Sequence, residues 1–120
     1  MLDHVGLKVK DFAKSKKFFA DALAPLDYRV VMEFEGVAGF GIGGKPDFWI
    51  EQAPAAGSRT HVAFASSDRK SVDAFHAAAL QAGGKDNGAP GIRAHYHPTY
   101  YGAYVFDPDG NNVEVVCHKP

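Results

Sequence analysis

Two histidines and two glutamates occupy matching places in two similar stretches of the chain. His4 and Glu51 stand near the start and the end of the first stretch, 47 positions apart, and His61 and Glu114 stand likewise in the second, 53 positions apart. Imidazole nitrogens and carboxylate oxygens suit Zn, Ni, Co, Mn or Fe, and this mixed set does not choose among them. The duplication therefore predicts one divalent metal site at a pseudo-twofold axis, with these four side chains as ligands.

The elements that must position these residues appear first in residues 1–52. Val5, Leu7 and Val9 alternate with more polar positions, which predicts a strand with His4 opposite the apolar face. Asp11 stands where a helix N-cap belongs. The predicted helix then carries an apolar stripe made of Phe18, Phe19, Ala22, Leu23 and Leu26, and the predicted strands after it cover residues 28–34, 37–42 and 48–51.

Residues 59–120 repeat this order after a short linker at residues 53–58, which is rich in proline, alanine and glycine. A strand is predicted at 59–65, and Ser67 or Asp68 is expected to cap a second helix. The apolar stripe of that helix is Val72, Phe75, Ala79 and Leu80, and the predicted strands after it cover residues 92–96, 101–106 and 112–118. The sequence thus predicts one α+β domain over residues 1–120, built from two β-α-β-β-β modules, with Cys117 in its core.

Composition and charge narrow the classes of function. The chain has 120 residues, of which 46% are hydrophobic and 22% are charged, and its formal net charge is −1. This balance favours a globular domain and gives no electrostatic argument for binding nucleic acid or an anionic membrane surface. The single cysteine and the lack of a secretory pattern at the N-terminus lead us to expect a cytoplasmic protein without disulfide bonds.

Two motifs resemble a known family. The strand HVGLKV at residues 4–9 with the following helix, and the segment DPDGNNVE at residues 107–114, resemble the vicinal oxygen chelate superfamily. That superfamily includes glyoxalase I, fosfomycin-resistance proteins, extradiol dioxygenases and bleomycin-binding proteins. The resemblance implies two tandem βαβββ modules that form a curled, incomplete β-barrel around a cavity. It also implies metal ligands on the first and fourth strands of each module, which here are His4, Glu51, His61 and Glu114.

Within this superfamily, two histidines with two glutamates resemble the ligand set of glyoxalase I. The resemblance implies a lyase or isomerase in which a metal polarises a carbonyl group of a small oxygenated substrate. Glu114 or Glu51 would then act as the catalytic base on the adjacent carbon. Two alternatives stay open: an iron extradiol dioxygenase that uses three of the four ligands, and a metal-free binding protein of the bleomycin-resistance type. The resemblance also implies a homodimer, with the cavity formed by one chain or shared by two.

An aromatic cluster at residues 93–104 holds two histidines and four tyrosines. Such side chains combine rigid apolar bodies with hydrogen-bonding groups, which suits the lining of a pocket. His118 shares the strand parity of Glu114 and could reach the same cavity. The candidates for substrate contact are Trp49, His97, Tyr100, Tyr101 and Tyr104.

Overall fold

The computed structural model describes residues 1–120 and contains eight strands, two α-helices and one 3-10 turn. The first module consists of β1 (Val5–Val9), α1 (Phe12–Leu23), the 3-10 turn (Ala24–Leu26), β2 (Arg29–Phe34), β3 (Val37–Ile42) and β4 (Lys45–Gln52). The second module consists of β5 (His61–Ala65), α2 (Arg69–Gln81), β6 (Lys85–Ile92), β7 (Tyr101–Phe106) and β8 (Asn112–Cys117).

Each module forms its own four-stranded sheet, and the two sheets have the same topology. The strand orders are β1-β4-β3-β2 in the first sheet and β5-β8-β7-β6 in the second. The first and last strands of each module pair in parallel, and all other pairs are antiparallel. The predicted α+β fold of two tandem βαβββ modules with unclosed sheets is confirmed.

Both helices begin at an aspartate that lies seven positions after the candidate histidine of its module. The carboxylate of Asp11 accepts a hydrogen bond from the backbone N–H of Lys14 at 3.1 Å, and Asp68 accepts one from Ser71 at 2.7 Å. These bonds satisfy donors that the first helical turn leaves free. Asp68, rather than Ser67, is therefore the cap of α2.

One hydrophobic core joins the two modules. Phe19 of α1 packs edge-on against Phe48 of β4, with ring centroids 4.9 Å apart. Phe48 in turn contacts Phe64 of β5 at 5.2 Å, and Tyr28 contacts the same ring at 5.4 Å. Cys117 is fully buried in this core, as predicted.

The opposite face of each sheet, which we call the open face, carries the candidate glutamates Glu51 and Glu114. On the first sheet the core side holds Leu7, Val9, Phe48 and Ile50, so the alternate positions form the open face. The open face includes Gly6, Lys8, Met32, Phe34, Val37, Gly39, Trp49 and Glu51 on the first sheet and His61, Ala63, Gly102, Tyr104 and Glu114 on the second.

Two expectations about the second module are wrong. The predicted strand at residues 92–96 does not form, because β6 ends at Ile92 and residues 93–100 make a loop. The backbone N–H of Arg93 donates to the carbonyl of Tyr100 at 2.7 Å and closes this loop. Leu80 is 37% exposed and so lies outside the buried stripe of α2.

Neither helix has the length and hydrophobicity that a membrane span requires.

Candidate functional site

The second module brings its predicted histidine and glutamate into contact. His61 is the first residue of β5, and Glu114 lies on β8 opposite Ala63. The Nε2 atom of His61 is 2.7 Å from Oε2 of Glu114. The Glu114 side chain is only 1% exposed, whereas that of His61 is 53% exposed. A nearly buried carboxylate therefore meets an imidazole that solvent or a ligand can reach.

Two tyrosine hydroxyls lie beside the same carboxylate. Tyr100 donates its hydroxyl hydrogen to Oε1 of Glu114, and Tyr104 is the direct partner of Glu114 on β7. Burial raises the pKa of both tyrosines, and the hydrogen bond to Glu114 raises that of Tyr100 further. Both hydroxyls are therefore protonated at neutral pH and can act as donors.

Aromatic rings from the loop and from the end of β8 form a continuous surface around Tyr100. We call Tyr96, His97, Tyr100 and His118 the aromatic shelf. Tyr100 contacts Tyr96 at 5.1 Å and His118 at 5.2 Å between ring centroids, and His97 lies 6.4 Å from His118. The hydroxyl of Thr99 donates to the carbonyl of His118 at 2.6 Å and fixes the loop to the strand end. The structure thus brings His97, Tyr100 and His118 together, and Tyr100 connects this group to Glu114.

Tyr101 lies on the other side of the sheet. Its partner on β8 is the buried Cys117, and its hydroxyl donates to Asp73 of α2 at 2.6 Å. The guanidinium group of Arg69 lies 5.0 Å from the centre of its ring. Tyr101 therefore ties β7 to α2 and does not join the other candidates for substrate contact.

The first module does not form the same histidine–glutamate contact. His4 precedes β1, is 60% exposed, and holds its Nδ1 atom 2.9 Å from the carboxylate of Asp3. Glu51 pairs in register with Lys8 and forms an ion pair with its ammonium group. Both residues line a cavity of about 450 Å³ on the open face, but they have different partners there.

Strand register explains this difference between the modules. Val5 pairs with Phe48 in the first sheet, and Val62 pairs with Val113 in the second. When the modules are matched at these pairs, the position of Glu114 corresponds to that of Trp49. Glu51 lies two residues farther along its strand, which corresponds to roughly 7 Å. The spacing between histidine and glutamate in the sequence could not reveal this offset, because the loops between them differ in length.

Trp49 forms a flat platform in this cavity. A Cβ atom at Gly39 would lie 2.9 Å from two ring carbons of Trp49, so the indole rests directly on the backbone of β3. Lys8 and Glu51 border the cavity on one side and Val37 on another. This open face can therefore receive an apolar or flat group next to an ion pair.

A groove between the modules was not predicted from the sequence. It has a volume of about 340 Å³ and lies between β1 and β5, with His4 and His61 both in its lining. Tyr28 and Asp47 also line this groove, and the hydroxyl of Tyr28 donates to the carboxylate of Asp47 at 3.0 Å. The sequence did not predict the Tyr28–Asp47 contact, because Tyr28 directly precedes β2 and Asp47 lies on β4, two strands that β3 separates in the sheet.

His61 and Glu114 are the only two of the four candidate ligands that lie in direct contact within one chain. His61 and Glu114 offer a nitrogen and an oxygen of the types that Zn, Ni, Co, Mn and Fe accept, and they already point at each other. No group of three or more His, Cys, Asp or Glu side chains lies close enough together to hold one ion. The pair therefore fits a divalent metal, and a complete ligand set needs donors from elsewhere.

Comparisons with known proteins identify the family. The sequence profile of the Glyoxalase/Bleomycin resistance protein/Dioxygenase superfamily matches residues 1–115. No curated protein sequence matches the chain. Among solved structures, a glyoxalase/bleomycin resistance protein from Albidiferax ferrireducens T118 is 29% identical over 98% of both chains, with a TM-score of 0.83.

Two more distant structures share the fold. A fosfomycin resistance protein from Mesorhizobium loti is 20% identical, with a TM-score of 0.71 over 98% of this chain and 91% of that one. A glyoxalase I variant from Zea mays is 23% identical, with a TM-score of 0.72 over 96% of this chain and 45% of that one. The profile match over nearly the whole sequence shows that the chain belongs to the glyoxalase/bleomycin resistance protein/dioxygenase superfamily.

Proposed function

We propose that the protein is a metal-dependent enzyme of the glyoxalase-like type, a lyase or isomerase that moves a proton on a small oxygenated substrate. The observation that carries this proposal is the contact between His61 and Glu114 on the open face of the second sheet. A nearly buried carboxylate beside an accessible imidazole suits both metal binding and proton transfer.

His61 and Glu114 would hold the metal together with His4 and Glu51. A divalent ion bound there supplies charge that polarises a carbonyl group and stabilises negative charge on its oxygen. Glu114 is fixed by two donors, which supports a role as a ligand. Glu51 is half exposed and its ion-pair partner is the exposed Lys8, so of the two glutamates we assign Glu51 as the ligand that would also serve as the base.

We further propose that two copies of the chain complete the site. Within one chain, no third potential metal ligand lies close to His61 and Glu114. The open face of the first sheet also exposes the apolar side chains of Met32 and Phe34. A homodimer that sets this face against the second sheet of the partner would bury them. Trp49 and Tyr104 would then contact the substrate from opposite walls.

Metal titration of the purified protein tests the proposal. After treatment with a chelator, the wild-type chain is expected to bind one Zn²⁺ or Co²⁺ per chain by calorimetry, and its melting temperature should rise. His61→Ala and Glu114→Gln should weaken binding at least about tenfold, because each removes a donor.

The matched control is His76→Ala. His76 makes the same kind of contact, with Nε2 2.9 Å from the carboxylate of Asp86, but it lies between α2 and β6. This variant should bind metal like the wild type. If no divalent ion binds or stabilises the wild-type chain, the metal-free binding protein becomes the better description.

One observation favours the dioxygenase as a second candidate. Because Trp49 holds the position that corresponds to Glu114, the best-placed ligands are His4, His61 and Glu114. Two histidines and one carboxylate with open positions form the ligand set of non-haem Fe(II) oxygenases. Glu51→Gln separates the candidates: the lyase or isomerase needs this carboxylate, and the dioxygenase does not. Oxygen consumption with catechol by the Fe(II)-loaded protein, unchanged in this variant, would support the dioxygenase.

A further inference from the structure

Tyr100 connects a surface loop to the buried carboxylate of the site. Its hydroxyl donates to Oε1 of Glu114, while Oε2 of the same carboxylate faces His61. The two oxygens of Glu114 thus have different partners on different elements. A carboxylate held at both oxygens has lost the freedom to rotate about its last bond.

The loop at residues 93–100 holds the Tyr100 ring in place. Its backbone is closed at one end by the bond from Arg93 to the Tyr100 carbonyl, and the N–H of Tyr100 donates to the carbonyl of His97 at 3.0 Å. The rings of Tyr96 and His118 pack edge-on against two sides of Tyr100. Backbone bonds and ring packing together leave the phenol little room to move.

Gly102 makes the approach of Tyr100 to Glu114 possible. A Cβ atom at this position would lie 3.2 Å from Cε1 of Tyr100 and 3.4 Å from Oε1 of Glu114. The first distance is tight, so the Tyr100 ring would have to shift by a few tenths of an ångström, and the second is at the limit of an ordinary contact. The strand therefore leaves a gap in its side chains where the phenol crosses over it.

We propose that Tyr100 is a positioning residue that fixes Glu114 in one orientation, so that only Oε2 is available to the site. Glu114 then serves as a ligand through a single oxygen. The proposal rests on the proposed function in one respect only, namely that Oε2 of Glu114 binds a metal ion. The fixed orientation itself is a property of the chain without metal.

Tyr100→Phe tests the inference, because it removes the hydroxyl and keeps the ring. Tyr96→Phe is the matched control, because it makes the same change on the neighbouring ring of the aromatic shelf. Tyr96 is 62% exposed. The chain has only four glutamates, so ¹³C labelling of glutamate carboxyl carbons gives a simple spectrum, in which Glu114→Gln identifies the Glu114 resonance.

The metal-free proteins are compared first. In Tyr100→Phe the Glu114 resonance should move toward the resonances of the exposed Glu33 and Glu35, and in Tyr96→Phe it should stay in place. Gly102→Ala crowds the same contact without changing the phenol and should also move the resonance. An unmoved resonance in either folded variant, or an equal shift in Tyr96→Phe, overturns the proposal.

Metal binding gives the second measurement. The loss of a group that orients a ligand typically weakens metal binding 10- to 100-fold. Tyr100→Phe should therefore weaken Zn²⁺ binding about tenfold, and Tyr96→Phe should change it less than about twofold. If the wild-type chain binds no metal, the proposed function fails, and the carboxylate spectrum still decides the role of Tyr100. If Tyr100→Phe and Tyr96→Phe bind Zn²⁺ equally well, Tyr100 only packs.

Discussion

Glu114 is nearly buried although it lies on the face of the sheet that carries polar residues. Removing a carboxylate from water is costly unless other groups hydrogen-bond to it. His61 and Tyr100 supply two such partners, one for each oxygen. The burial of Glu114 is therefore an effect of its neighbours, and the sequence could predict the side of the strand but not the cover above it.

Tyr28 gives a prediction for alkaline pH. Burial and the hydrogen bond to Asp47 raise the pKa of Tyr28 from 10.0 to about 12. A raised folded pKa means that this residue contributes its stability below pH 10 and loses it as the pH rises toward 12. Asp47→Asn should lower the pKa of Tyr28, so that absorbance at 295 nm rises at lower pH. Asp21→Asn, which changes a surface partner of Lys17, should leave the curve unchanged. Identical curves for wild type and Asp47→Asn would contradict the assignment.

At the scale of elements, Gly39 and Trp49 give a test of the platform in the first sheet. Gly39→Ala would place a Cβ atom 2.9 Å from the indole and from Cβ of Pro46. We expect the ring to be displaced at a cost of about 1–3 kcal/mol of stability. Trp49 is the only tryptophan, so its fluorescence emission should move to longer wavelengths.

The control for this prediction is Gly6→Ala. Its added Cβ would lie 3.7 Å from Cβ of Trp49, which is an ordinary contact. Emission and stability should stay close to those of the wild type. Equal red shifts in the two variants would show that Trp49 does not lie flat on β3.

The elements were predictable to different degrees. A capping residue followed by an apolar stripe was enough to place α1 and α2, although the cap of α2 stayed open between Ser67 and Asp68. The ends of the modules were harder. Whether Glu51 corresponds to Glu114 depends on strand register, which is set by hydrogen bonds between segments far apart in the chain. The register cannot be read from residue spacing, because the loops of the two modules differ in length. In β6, Gly88 and Pro90 interrupt the alternation that would have marked the strand.

At the scale of the whole molecule, the proposed homodimer can be tested by its mass in solution. Phe34 is 60% exposed on the open face of the first sheet, where we place the partner. Sedimentation of the wild-type chain should give the mass of two chains. Phe34→Asp should give the mass of one chain without unfolding it, because a charge in an apolar interface is unfavourable.

Ile42→Asp serves as the control for this prediction. Ile42 is 57% exposed, but it lies beside the β3–β4 turn and has the parity of the core face. This variant should remain a dimer. A wild-type chain that sediments as a monomer would contradict the shared site.

The burial of Cys117 makes the protein convenient for chemical labelling. The only native thiol is fully buried, so thiol-reactive dyes should leave the folded chain unmodified. Ala63 is exposed and lies directly opposite Glu114 on the neighbouring strand. A cysteine introduced there would be the single reactive thiol of the molecule. Its rate of modification would report, in real time, how far ions, small molecules or a second chain shield the carboxylate.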